Sequence, residues 1–344
     1  MDNARNRTAK TDQRTAVTTN YGYDAIYQLL SATQGGSTTE SYTYDPVGNR
    51  TTSLGVASYT TNSSNELTAT SNASYGYDNN GNAVTKNDST GITTYAWDYE
   101  NRLTTVTLPG SGGTVTFKYD PFGRRIYKSS SNGTGIFAYD GDKLIEETNS
   151  SGSAVARYSQ GLTIDEPLAM LRGGTTSFYN ADGLGTITSL ANTAGSLTQT
   201  YTLDSFGKQT ASSGSLTNSF QYTARESDAE AGLYHYRTRY YDAQIGRFLN
   251  EDRVGRKTPQ NKYGYVGNRP LISVDPFGMA PCPVDPNYQG RNDCAKKCGK
   301  DYRFEVAICV AINLIDEEIL LPECITVANI ALAHCIHECL VEFP

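Results

Sequence analysis

The chain has 344 residues, a formal net charge of -7, 38% hydrophobic residues and 25 tyrosines. That length allows more than one core, and the acidic balance excludes a carrier that grips nucleic acid through its phosphates. No apolar run approaches the roughly 20 residues that span a bilayer. The polar start, Met1-Asp-Asn-Ala-Arg-Asn-Arg-Thr, has no apolar signal core. Export information therefore lies elsewhere, unless the protein is cytosolic or is the end of a longer polypeptide.

Residues 1–20 read as a polar leader or a truncated repeat. From residue 21 an aromatic-x-aromatic-Asp unit recurs: Tyr21-Gly-Tyr23-Asp24, Tyr42-Thr-Tyr44-Asp45, Tyr75-Gly-Tyr77-Asp78, Tyr95-Ala-Trp97-Asp98, Phe117-Lys-Tyr119-Asp120 and Phe137-Ala-Tyr139-Asp140. The aspartates are 21, 33, 20, 22 and 20 residues apart, and a degenerate copy, Tyr59-Thr-Thr-Asn62, divides the long gap. Several copies continue as Asp-x-x-Gly, as in Asp45-Pro-Val-Gly48 and Asp120-Pro-Phe-Gly123. Asp caps its own turn, Pro presets φ, and Gly takes the position with φ > 0. Alternation along the strand puts both rings on one face. Each unit is thus a hairpin of about 20 residues, and stacked hairpins make a continuous β-wall with an aromatic face. On this pattern alone a β-solenoid or a propeller remains open.

These repeats resemble those of the Rhs/YD-repeat family of bacterial polymorphic toxins, insecticidal toxin complexes and teneurins. Residues 21–177 are the YD-repeat portion, and residues 178–279 resemble the Rhs-associated core segment. Its marks are Tyr179-Asn-Ala-Asp182-Gly183-Leu184-Gly185, Thr223-Ala-Arg225-Glu226 and Gly232-Leu-Tyr234-His-Tyr236-Arg237-Thr-Arg239-Tyr240-Tyr241-Asp242. Gly246-Arg247-Phe248-Leu249-Asn-Glu-Asp252 and Tyr263-Gly-Tyr-Val-Gly267-Asn268-Arg-Pro270 follow. The resemblance implies a mainly β fold, in which a spiralling antiparallel sheet forms part of a shell around a carboxy-terminal cargo.

It also implies a self-cleaving junction. In such proteins Pro-x4-Asp-Pro-x-Gly-Leu marks an aspartyl-protease-like cut after the Leu. Here Pro270, Asp275, Pro276 and Gly278 match, and Met279 replaces Leu, which places the scissile bond between Met279 and Ala280. The chemistry needs two carboxylates sharing a proton, one as acid and one as base. Asp275 is one, Asp252 is the expected partner, and Asp242 is the fallback. Arg253 follows Asp252 where relatives carry Pro, and it favours the ionised form of Asp252. The competing expectation is that Asp275-Pro-Phe-Gly is one more turn like Asp120-Pro-Phe-Gly.

Residues 280–344 differ in character. All seven cysteines fall between Cys282 and Cys339, and this tail carries five basic and ten acidic side chains. Spacings of 4 and 11 keep cysteines on one helical face. The outside-in pairs Cys294-Cys339, Cys298-Cys335 and Cys309-Cys324 all centre on the bond between Asp316 and Glu317. That mirror symmetry predicts a small α-helical hairpin held by three nested disulfides, with Cys282 left over. Zinc ligation by Cys294, Cys298, His334, Cys335, His337 and Cys339 is the alternative, and His334, His337 and Glu338 also admit a hydrolytic site. The preferred expectation has no metal and no cofactor.

Two functions follow. The first is an Rhs-type carrier, secreted or at the cell surface, that encloses or displays its tail and releases it by a single-turnover cut. Its partners would be a cognate immunity protein and either a secretion apparatus or a missing upstream Rhs region. The second is a surface YD-repeat protein that contacts carbohydrate or cells. An inactive fragment of a longer Rhs protein is the third possibility.

Overall fold

The computed structural model describes residues 1–2, 6–252, 261–279 and the backbone of 282–283. The helical hairpin, its three disulfides, the alternative zinc ligands and Arg253 all lie outside these residues.

The repeats fold as expected into hairpins, each strand pairing antiparallel with the next in sequence. Five strands from Ala9–Asp12 to Arg50–Ser53 form one sheet, and sixteen from Tyr59–Thr61 to Gln209–Ser213 form a second. A bridge between Ser53 and Val56 lies at their meeting point. Residues 9–20 already contribute strands to the first sheet. Residues 178–213, in the associated core segment by sequence, continue the second sheet without a break.

Turn chemistry accounts for the regularity. The Asp45 Oδ1 accepts from the backbone N–H of Val47 (3.0 Å) and Asn49 (2.8 Å), and Gly48 N–H donates to Asp45 O (3.0 Å). Asp78, Asp98, Asp120, Asp182 and Asp204 repeat this arrangement, and Asn62 reproduces it in the degenerate copy. Gly48 sits at φ +83°, where an L side chain is strained. A register shift falls just before the second aromatic of the motif, at Gly22/Tyr23, Thr43/Tyr44, Gly76/Tyr77, Ala96/Trp97, Lys118/Tyr119 and Ala138/Tyr139. An extra residue on one strand bends it and increases its twist. Bulges recurring every other strand therefore curl the wall in one sense.

The curl brings the beginning of the wall to its end. Glu40 accepts hydrogen bonds from Ser205 N (3.1 Å) and Ser205 Oγ (3.0 Å), Lys10 pairs with Asp182 (3.0 Å), and Arg14 donates to Thr188 O (3.1 Å). No backbone ladder joins these two ends among the described residues, so the sheet is open and side chains span the seam. A cavity of about 580 Å³ lies along it, lined in part by Tyr21, Glu40, Asp182 and Tyr201.

Residues beyond the wall form a plug. Its four strands, Glu226–Asp228, Leu233–Tyr236, Arg239–Asp242 and Arg247–Phe248, are short and buried on nearly every position. The plug meets one repeat turn after another around the rim. Asn268 Nδ2 donates to Gly48 O (2.8 Å), Arg247 to Asn65 O, and Tyr263 Oη to Gly81 O (2.9 Å). Arg237 donates to Asp142 O (3.3 Å), Tyr241 Oη to Phe206 O (2.8 Å) and Tyr234 Oη to Gly207 O (3.0 Å). A tyrosine-rich core unites Tyr222, Tyr234, Tyr236, Tyr241, Phe248 and Tyr265 with Leu29, Tyr42 and Phe206 of the wall.

Candidate functional site

The hairpin joining Leu233–Tyr236 to Arg239–Asp242 is the cradle of the junction. Three consecutive side chains each hold a main-chain carbonyl of the motif. Arg237 donates to Pro276 O, Thr238 Oγ1 to Phe277 O (2.7 Å) and Gly278 O (3.1 Å), and Arg239 Nε to Gly278 O. Gly278 is required here: its φ is +69°, and a Cβ would sit 2.5 Å from Tyr236 O. On the far side, Val274 and Ser273 pair antiparallel with Cys282 and Pro283. The chain therefore reverses direction between Val274 and Cys282.

Asp275 is 2% exposed. Its Oδ1 accepts from Met279 N–H (2.9 Å), and its Oδ2 lies 3.2 Å from Arg239 Nη2. The same Nη2 is 3.4 Å from Asp252 Oδ2. The two carboxylates singled out in the sequence thus meet at one guanidinium. Arg239 is itself fixed by Lys262 O (2.9 Å) and by packing over the Phe248 ring at 3.6 Å. Pro270, Pro276 and Met279 are buried, while Ala280 lies outside the described residues.

Asp242, the fallback partner, caps its own turn by accepting from Gln244 N–H (2.8 Å). Burial raises its pKa, with Lys86 as the opposing cation. Its surroundings are those of a turn cap against the wall.

Asp120 accepts from Phe122 and Arg124 N–H (both 2.9 Å) and pairs with Arg124, whose side chain is one-third exposed. Asp275 uses the same reach to residue i+4, but its second oxygen faces a buried arginine and a second acid. Among the described residues, two carboxylates therefore share one guanidinium beside the main chain at the junction.

Residues 4–271 match the teneurin YD-shell family. The chain belongs to that family. This YD-shell chain is 34% identical over 273 residues to the tRNA3(Ser)-specific nuclease WapA of Bacillus spizizenii, an alignment covering 74% of the chain and 12% of the relative. It is 32% identical over 200 residues to the probable deoxyribonuclease RhsA of Dickeya dadantii, covering 55% and 14%. It is 26% identical over 297 residues to the double-stranded DNA deaminase toxin A of Burkholderia cenocepacia, covering 76% and 21%. The crystal structure of TcdB2-TccC3 aligns with a TM-score of 0.49 at 18% identity, over 79% of the chain and 18% of that structure. The YD-shell chain thus spans a small part of each relative's length.

Sequence reasoning missed Arg239, although its signal was present. Arg237, in the turn, and Arg239, in the second strand, interrupt a run of aromatics, Tyr234-His-Tyr236 and Tyr240-Tyr241, whose strands are buried on both faces. Charges placed there need carboxylate or carbonyl partners, and the junction supplies both.

Proposed function

We propose that this chain is the closing part of an Rhs-type carrier wall, sealed by its plug, which holds the tail 280–344 and releases it by cutting itself after Met279. The observation that carries the reading is the convergence of Asp275, Asp252 and Arg239 at the junction motif, at the point where the composition changes. In the reaction, the carboxylate acting as base takes a proton from water, and the hydroxyl adds to the Met279 carbonyl carbon. The protonated partner gives its proton to the Ala280 nitrogen as the C–N bond breaks. The products are a carboxylate at Met279 and an amine at Ala280.

The relatives support a carrier whose cargo varies. Their names assign a tRNA nuclease, a deoxyribonuclease and a DNA deaminase, and the YD-shell family match on this chain runs over residues 4–271, which are wall and plug. The activity is therefore assigned to the tail, with the disulfide-linked hairpin as its proposed form. A secretion route or cell-surface display, an upstream Rhs region and a cognate immunity protein complete the proposal.

The test is to express the chain with a tag at each end and sequence the amino terminus of any tail fragment. A tail beginning at Ala280 that co-purifies with the wall is the expected result. A single uncut chain, or a tail beginning elsewhere, contradicts it.

A further inference from the structure

Between Gly161 and Glu166 the wall departs from its repeat. The loop closes through Gly161 N–H to Glu166 O (2.7 Å), and Thr163 Oγ1 donates to the Glu166 carboxylate (2.6 Å). At its tip Asp165 adopts φ +57°, a left-handed conformation that costs a non-glycine residue about 1 kcal/mol or more. Strain of that kind persists where surrounding contacts over-determine it. Those contacts come from the plug: Arg225 and Arg237 both donate to the Asp165 carboxylate, Arg237 through Nη2 (2.7 Å) and Nη1 (3.3 Å).

Arg237 is left-handed as well, at φ +55°. Its guanidinium is used on three sides: by Asp165, by Asp142 O (3.3 Å) and by the junction carbonyl Pro276 O. It also lies 5.2 Å from the Phe277 ring centroid. A planar fork with fixed donor directions transmits the position of one partner to the others. The adjacent Thr238 and Arg239 then hold Phe277 O and Gly278 O. Charge-assisted hydrogen bonds therefore run from the wall loop through Arg237 to Pro276 O, and the next two residues of the same turn and strand hold the two carbonyls that follow.

We propose that Asp165 is a positioning residue for self-cleavage: acting through Arg237, it fixes the junction against the wall, so that cutting waits until wall and plug have docked. This rests on the reading that the junction cuts itself. It adds a dependence on assembly, because Asp165 belongs to the wall and the carboxylates that do the chemistry belong to the plug segment. An unassembled wall leaves Arg237 without its anchor, and the Pro276–Met279 backbone then loses its register against Asp275 and Asp252. A displacement of about 1 Å is enough to slow such a reaction by a hundredfold.

The experiment follows the cut in the full chain after a translation pulse, by intact mass, for wild type, Asp165→Asn, Asp165→Glu, Arg237→Gln and the double variant Asp165→Asn/Arg237→Gln. The expected result is a slowing of about tenfold or more in each neutralising variant, partial rescue in Asp165→Glu, and a double variant no slower than the slower single. The pH midpoint of the rate stays at its wild-type value, which a change at the reacting carboxylates would move. Amide exchange, measured in the uncut Asp275→Asn background, rises at residues 277–279 when Asp165→Asn is added. A wild type that cuts while Asp165→Asn cuts equally fast, or slows with no rise in junction exchange, overturns this inference alone. A wild type that never cuts overturns the cleavage reading and this inference together.

Discussion

At the scale of single residues, the outcome is decided by which charges are buried and what faces them. Arg125, from the wall, is 2% exposed and meets Glu226 (2.6 Å) and Asp228 of the plug. Burial opposes charge on Glu226, yet Arg125 and His235 hold its carboxyl below the usual carboxylate range. Removing one partner of such a cluster leaves buried charge uncompensated. Arg125→Ala is therefore expected to cost about 3–5 kcal/mol in urea unfolding, whereas Arg157→Ala, which breaks the exposed pair with Glu146, costs under about 1 kcal/mol. Equal losses in the two variants would contradict this account of the wall–plug contact. Neither Arg125 nor Arg239 could be paired from sequence. Their partners lie 101 and 36 residues away respectively, and no local period links such positions. Asp275 and Asp252 were singled out through the resemblance to the family's junction, and the fold brings both within hydrogen-bond or ion-pair reach of Arg239.

At the scale of elements, the repeat was legible because turn chemistry is local. Asp78 accepts three hydrogen bonds, from Asn80 N–H, Asn82 N–H and Asn82 Nδ2, all within five residues. Asp78→Ala should destabilise by about 1–2 kcal/mol in urea unfolding, while Asp78→Asn, which keeps one oxygen for the two backbone N–H groups and loses the bond from Asn82 Nδ2, should cost less. The seam was not legible, since Glu40 and Ser205 are 165 residues apart. It gives the wall a pH dependence of its own. Burial and the neighbouring Glu40 carboxyl push Asp204 up to about 7 from an ordinary value of 3.8, and burial also raises Glu40. Because the folded chain then holds protons that the unfolded chain releases, stability falls as pH rises from about 4 to about 7. Urea midpoints measured from pH 5 to pH 8 should decline, and Asp204→Asn should make that decline shallower while keeping the turn. A variant as steep as wild type would remove Asp204 from the seam's titration.

At the scale of the whole molecule, a curled wall and a central plug explain why the junction is built from distant parts. The plug touches turns from Gly48 to Gly207 around the rim, so it finds its full set of partners only after the wall has curled. Bulges at each motif supply the curl, and that consequence of the Tyr-x-Tyr-Asp spacing follows from strand pairing rather than from composition. In the proposed function Asp275 cuts the chain after Met279. Intact mass of purified wild type beside Asp275→Asn tests it most directly, since Asn keeps the acceptor for Met279 N–H but cannot trade a proton. The expected result is a wild-type fragment ending at Met279 and a variant that stays whole. A wild type that remains a single chain, or a variant cut at the same bond, would contradict it.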